Sequence, residues 1–207
     1  MSAALGCYVS SYIDIFGYTD CRKIKPLLRY LDSTGKPIQY FALDLSKETL
    51  QEVVAQLRAE SKYVQCFGLW GTFEDGLAWM KNVTGPKWIL SLGSMFGNDE
   101  FDLAVQRLKP WAEAMGPSDR MFLGMCAQQD PNTVWASYHD SGGLWETFIR
   151  NGLSRSNKIF GVEWYYHEDW EISGRLTDGP VSHRYVIRAI RDIECPALDL
   201  QFSAATP

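Results

Sequence analysis

The chain has 207 residues, 46% of them hydrophobic and 22% charged, with a formal net charge of -5. That length supports one good core, or a core plus a small annex, and the acidic balance gives no footing to a nucleic-acid or anionic-membrane partner. The five cysteines are scattered, odd in number and without a CxxC pair, which argues against a disulfide framework and for a reducing, cytoplasmic setting, while residues 1–12 read as neither a secretion signal nor a membrane span.

Residues 11–16 (SYIDIF) read as a strand, and Gly17-Tyr18-Thr19-Asp20 as the turn behind it. A helix follows over residues 21–31, with Ile24, Leu27, Leu28 and Leu31 at helical spacing and Pro26 tolerable only in its first turn. Ser33-Thr34-Gly35-Lys36-Pro37 returns the chain to Gln39-Tyr40-Phe41-Ala42-Leu43-Asp44, a nearly all-apolar run that has the texture of a buried parallel strand. The run stops at one carboxylate. In open α/β sheets the carboxyl ends of strands hold ligand groups, and a carboxylate accepts two hydrogen bonds at once, as a ribose diol requires. Asp44 would equally serve as the cap of the helix over residues 47–57, for which Ser46 is a second candidate.

Residues 63–69 form a third strand and residues 74–81 a short helix. Residues 87–92 (KWILSL) are the best central-strand candidate and run into Gly93-Ser94-Met95-Phe96-Gly97-Asn98. That loop can approach a ligand, or simply lead into a helix over residues 100–113 capped by Asn98 or Asp99. Residues 121–125 make a fifth strand. Strands alternating with helices imply right-handed crossovers and a mostly parallel sheet.

After Cys126 the rhythm changes. Helices are expected over residues 134–138 and 144–160, the second with Leu144, Phe148, Ile149 and Leu153 on one apolar face. Two β-like runs, 170–176 and 183–190, suggest a hairpin, and the tail from Pro196 reads as frayed or loosely docked. Tyr138-His139-Asp140-Ser141-Gly142-Gly143 offers a His–Asp pair, but adjacent residues rarely face each other, and Asp140 and Ser141 suit a helix start. No GxGxxG, P-loop or GxSxG motif is present, which disfavours NAD and FAD. A lone Gly17 fits a ligand without phosphate or a plain βα turn. Most of the eight tryptophans should serve packing.

Taken together, residues 40–46 (YFALDLS), 68–77 (GLWGTFEDGL), 89–98 (ILSLGSMFGN), 130–143 and 148–153 (FIRNGL) resemble the histidine-specific, S-adenosylmethionine-dependent methyltransferase family. Within it the texture is most like the fungal 4-dimethylallyltryptophan N-methyltransferases. The resemblance implies an α/β, Rossmann-like class I methyltransferase sheet of about five strands with a small C-terminal α+β annex. Residues 1–128 would bind S-adenosyl-L-methionine, and residues 129–207 would form part of the substrate site. It implies cofactor contacts at Gly17, Lys23, Asp44, Thr72 and Phe73, and substrate contacts at Gly93, Asn98 and Tyr138, with no catalytic residue or metal.

The implied reaction is N-methylation of a small amino-acid-like amine, 4-dimethylallyltryptophan among the candidates. Thr19 stands where the family has a second glycine, and Met95 where it has a smaller hydroxyl residue. The family's N-terminal helical segment and last two strands have no counterpart here. The competing expectation is therefore an impaired methyltransferase-like domain whose open sheet edge is covered in a homo- or hetero-oligomer.

Overall fold

The computed structural model describes residues 10–14, 22–92, 99–125, 127, 129–177 and 181–204. The chain divides into two compact units, Met1–Cys126 and Ala127–Pro207.

The first unit is built on five parallel strands: β1 (Ser10–Asp14), β2 (Ile38–Asp44), β3 (Val64–Trp70), β4 (Lys87–Ser91) and β5 (Arg120–Leu123), in the order β3-β2-β1-β4-β5. The connections are α1 (Lys25–Ser33), α2 (Lys47–Glu60), α3 (Phe73–Met80) and α4 (Phe101–Ala114). The order grows one way from β1 to β3 and then restarts on the other side of β1. This places a topological switch between β1 and β4, where doubly wound sheets open a crevice at their carboxyl ends. The strand at 87–91, expected to be central, is interior but one place off the middle, between β1 and β5; β1 takes the middle place because the order restarts on its far side.

Both faces of this sheet are covered, which is why its strands read as continuous apolar runs. On one face Leu28 and Leu31 of α1 and Leu50, Val54 and Leu57 of α2 pack on Tyr40, Ala42, Cys66 and Leu90. On the other, Met80 of α3 and Trp111 of α4 pack on Ile13, Leu43 and Ile89. Pro26 lies in the first turn of α1, where its missing N–H costs nothing. Ser46, not Asp44, caps α2 by accepting from Thr49 N, and Thr72 and Asp75 close a capping box at α3. The fourth helix differs from expectation: Glu100 occupies its N-cap without a side-chain capping bond, and Asp99 instead pairs with Arg107 at 2.9 Å.

Two carboxylates, the half-buried Asp32 and the buried Asp119, fasten the amino-terminal side of this sheet. Asp32 Oδ1 accepts from the N–H groups of Lys62, Tyr63 and Val64 at 2.6–2.9 Å. Asp119 accepts from Lys87 N and Gly116 N, both at 2.8 Å, and pairs with the Lys87 ammonium at 3.0 Å.

The second unit contains α5 (Pro131–Tyr138), α6 (Leu144–Phe160), the antiparallel hairpin β6 (Trp170–Leu176) and β7 (His183–Ala189), and a small hairpin β8 (Ile193–Cys195) and β9 (Leu200–Phe202). Of the four residues expected on one apolar face of α6, Ile149 and Leu153 are half-buried, whereas Leu144 and Phe148 are 71% and 68% exposed; the helix meets its core through Leu153 and the buried Asn157. Helical period alone does not say how much of such a face the neighbours cover. Of the two readings of the tail, docking holds through residue 204: Pro196–Leu198 form a 3-10 turn, Asp199 adopts φ 51, and β9 returns alongside β8. Aromatic packing holds this end, with Phe202 5.0 Å from Trp170 and 6.0 Å from Trp164 between ring centroids.

Candidate functional site

The carboxyl ends of β1 to β4 converge on one edge of the first unit. On β1 that end is Asp14, whose side chain is only 6% exposed and accepts from the Tyr40 hydroxyl at 3.0 Å. Asp14 is in register with Ala42 of β2, so Asp44, two residues further and on the same face, stands about 7 Å beyond it along the strand. A buried acid at the end of an apolar strand is costly unless its oxygens are bonded. The Tyr40 hydroxyl supplies one such bond to Asp14 at the switch point. The sequence reading treated 11–16 as a strand without singling out its acid, although an aspartate interrupting SYIDIF was the available signal.

Asp44 is half-buried. Its Oδ1 accepts from Ser46 N at 2.7 Å, which fixes the carboxylate at the strand exit. The other oxygen bonds to no protein group among the described residues. The capping role considered for it belongs to Ser46, so the fixed carboxylate is left for another duty. Its carbonyl accepts from Gly71 N at 3.2 Å, which ties the exit of β2 to that of β3.

Beside it, Trp70 is 64% exposed. Its indole N–H donates to Leu45 O at 3.0 Å, and the Lys47 ammonium lies 5.1 Å from the ring centroid. These contacts hold a flat apolar surface next to the Asp44 carboxylate.

Thr72 and Phe73 follow directly. The Thr72 hydroxyl and N–H both bond Asp75 Oδ2, at 3.0 and 2.9 Å, so its polar groups serve the α3 cap. Those bonds keep the Asp75 carboxyl below the usual range. Phe73 packs against the Ile13–Leu43–Met80 core. Lys23 is exposed in the turn that precedes α1. Gly17, Gly93 and Asn98, together with Thr19 and Met95, lie outside the described residues.

At the end of β4, Ser91 is fully buried and its hydroxyl has no partner among the described residues. Tyr138 belongs to the second unit, where it ends α5. Its ring stacks on His183 at 4.6 Å, and its carbonyl accepts from the Tyr185 hydroxyl. His139 bonds His183 rather than Asp140, whose carboxylate receives the N–H groups of Gly142, Leu144 and Trp145 and so opens α6.

An S-adenosyl donor needs a diol acceptor, a flat surface for its base and a cleft at a strand switch. The Asp44 oxygen, the neighbouring Trp70–Thr72 segment and the β1/β4 switch match those needs in kind. No helix among the described residues is long and apolar enough to cross a membrane.

Residues 9–206 match the model of the histidine-specific, S-adenosylmethionine-dependent methyltransferases. The chain is 41% identical over 161 residues to ergothioneine biosynthesis protein 1 of Neurospora crassa, covering 76% of this chain and 18% of that protein. It is 30% identical over 173 residues to the 4-dimethylallyltryptophan N-methyltransferase easF of Aspergillus fumigatus, covering 74% and 50%. It is 29% identical over 167 residues to the N-methyltransferase imqF of Aspergillus flavus, covering 77% and 45%. The chain thus spans roughly a fifth to a half of the length of these relatives. The family model extends over nearly the whole chain, and the strand order is that of a doubly wound cofactor-binding sheet: this protein belongs to the histidine-specific, S-adenosylmethionine-dependent methyltransferase family.

Proposed function

We propose that the chain binds S-adenosyl-L-methionine at the carboxyl edge of its parallel sheet and takes part in N-methylation of a small amino-acid-like amine in a cytoplasmic alkaloid or related secondary pathway. The observation that carries this reading is the Asp44 carboxylate, anchored through one oxygen by Ser46 N and open at the other, in a chain that the family model covers over residues 9–206.

When bound, the cofactor supplies a methyl group already activated by its sulfonium. The residues therefore need only bind, orient and dehydrate. Asp44 would accept the ribose hydroxyls, Trp70, Thr72 and Phe73 would border the adenine, and Gly17 and Lys23 would meet the methionine part. Gly93, Asn98 and Tyr138 would contact the amine substrate, and an apolar surround would favour its unprotonated form. The relatives' printed names include a 4-dimethylallyltryptophan N-methyltransferase, which makes a prenylated indole amino acid the first substrate to try. Isothermal titration with S-adenosylmethionine should give a dissociation constant in the micromolar range, on the order of -8 kcal/mol. Absence of binding at millimolar cofactor rejects the reading.

A second reading has its own observation. β5 pairs only with β4 among the described strands, and Phe122 and Leu123 on it are exposed, as is Met125 just beyond. Such an edge is a template for another chain, as in a partner-binding subunit of impaired activity. Sedimentation showing a homo- or hetero-oligomer that fails to transfer methyl groups would favour it, and an active monomer would exclude it.

A further inference from the structure

We propose that His139 and His183 form a proton-sharing pair that tolerates one added proton but not two, and that the second proton detaches the end of α5 from the β6–β7 hairpin. The chain has three histidines, and two of them meet nitrogen to nitrogen: Nε2 of His139 lies 2.9 Å from Nε2 of His183. At that distance one ring donates and the other accepts. A neutral pair satisfies this, and so does a pair with one extra proton, since an imidazolium donates to an imidazole. With both rings protonated, two N–H groups and two positive charges confront each other and the bond is lost.

The surroundings hold the rings in this geometry. Trp135 stacks on His139 at 3.7 Å between centroids, Tyr138 stacks on His183 at 4.6 Å, and Tyr185 meets His183 edge-on at 4.7 Å. Below them is Gly174 of β6. A Cβ at that position would fall within 3.0 Å of Nε2 on both rings, so the imidazoles occupy the space its absence leaves.

Few charges reach this cluster. Residues 131–138 of α5 bring none. On the hairpin, Gly174, Leu176, His183 and Tyr185 share the near face by register, and Arg175 and Arg184 pair on the opposite face. The segment entering α6 contributes Asp140 and Glu146; Asp140 is bonded to three backbone N–H groups and Glu146 to Arg150. His139 is the C-cap of α5, where the helix end favours one cation. Burial and the charge of His139 hold His183 below the ordinary histidine range, in the direction the pair requires.

The pair also governs Tyr138, whose ring lies on His183 and whose carbonyl is held by Tyr185. Any effect on methyl transfer rests on the substrate role proposed for Tyr138. The titration itself does not.

The test is a pH titration from about 8.5 to 5 of the full chain with 15N-labelled imidazoles, without cofactor or substrate, so its outcome is separable from that of the methyltransferase reading. His139 and His183 should show two coupled steps, the second lower by about one pH unit or more. Contacts from Trp135 and Tyr138 to the hairpin should vanish with that second step. His139→Gln should turn His183 into a single-step group at higher pH, and Gly174→Ala, which forces the rings apart, should uncouple the two titrations. If the two rings titrate independently of each other in the unmodified protein, or if the contacts persist at pH 5 after both are protonated, the proposal is overturned.

Discussion

The Tyr40 hydroxyl donates to Asp14 Oδ2 at 3.0 Å across neighbouring strands, at the one end of the sheet where the strand order reverses. Both side chains are nearly closed to solvent. Replacing Tyr40 by Phe keeps the ring and withdraws one donor from a buried carboxylate. Loss of a hydrogen bond to a charged group costs about 1.5–3 kcal/mol, and urea unfolding of Tyr40→Phe should show a loss in that range. Cofactor affinity should fall as well if the Asp14 edge frames the binding cleft.

Asp44 makes a contrasting prediction. It is half-buried and its single intramolecular bond is local, so Asp44→Ala should cost only about 1 kcal/mol of stability. If it accepts the ribose diol, the same variant should lose on the order of 10–100-fold in S-adenosylmethionine affinity, the equivalent of about 1.4–2.8 kcal/mol. Calorimetric titration beside a denaturation curve checks both. Equal affinity in the variant would remove Asp44 from the site.

Acid should weaken the sheet through Asp119 and Asp32. Burial by itself would raise the Asp119 carboxyl, but the N–H groups of Gly116 and Lys87 and the Lys87 ammonium more than reverse this and hold it below its ordinary 3.8. Asp32 is likewise lowered, by three backbone N–H groups acting against the same burial. A carboxylate whose folded pKa is depressed contributes stability fully present above the unfolded value and lost as pH falls through the folded one. The thermal midpoint should therefore drop as pH falls below about 4. Asp119→Asn should lower stability at pH 7 and flatten part of that acid limb, seen by circular dichroism melts at several pH values.

Asn157 is the polar centre of the second unit. Its amide donates to Glu163 and to Tyr165 O at 2.9 and 2.8 Å, and its oxygen accepts from Trp164 N and Tyr165 N at 3.2 and 3.0 Å. Asn157→Ala strands several of those buried groups and should destabilise by about 2–4 kcal/mol. The loss of tryptophan emission changes around Trp164 and Trp170 during denaturant titration would report where it acts.

Local signals carried the first unit because its physics is local. Apolar runs, Pro26 in a first turn, Ser46 at a helix start, and strict strand–helix alternation each act within a few residues, so the parallel α/β architecture and the Asp44 strand exit were legible from the chain alone. The resemblance then supplied the family, which the match over residues 9–206 bears out.

What the residues determined by themselves is a mostly parallel sheet whose second strand ends in a carboxylate. What only the tertiary structure decided is which groups meet across distance: Tyr40 on Asp14, Trp70 over the Leu45 carbonyl, Phe202 on Trp170, and His139 against His183, 44 positions away in sequence. The exposure of Leu144 and Phe148 on α6 escaped the sequence for the same reason. Period and propensity describe a segment against an average solvent or core, whereas burial is set by the particular neighbours that the fold delivers.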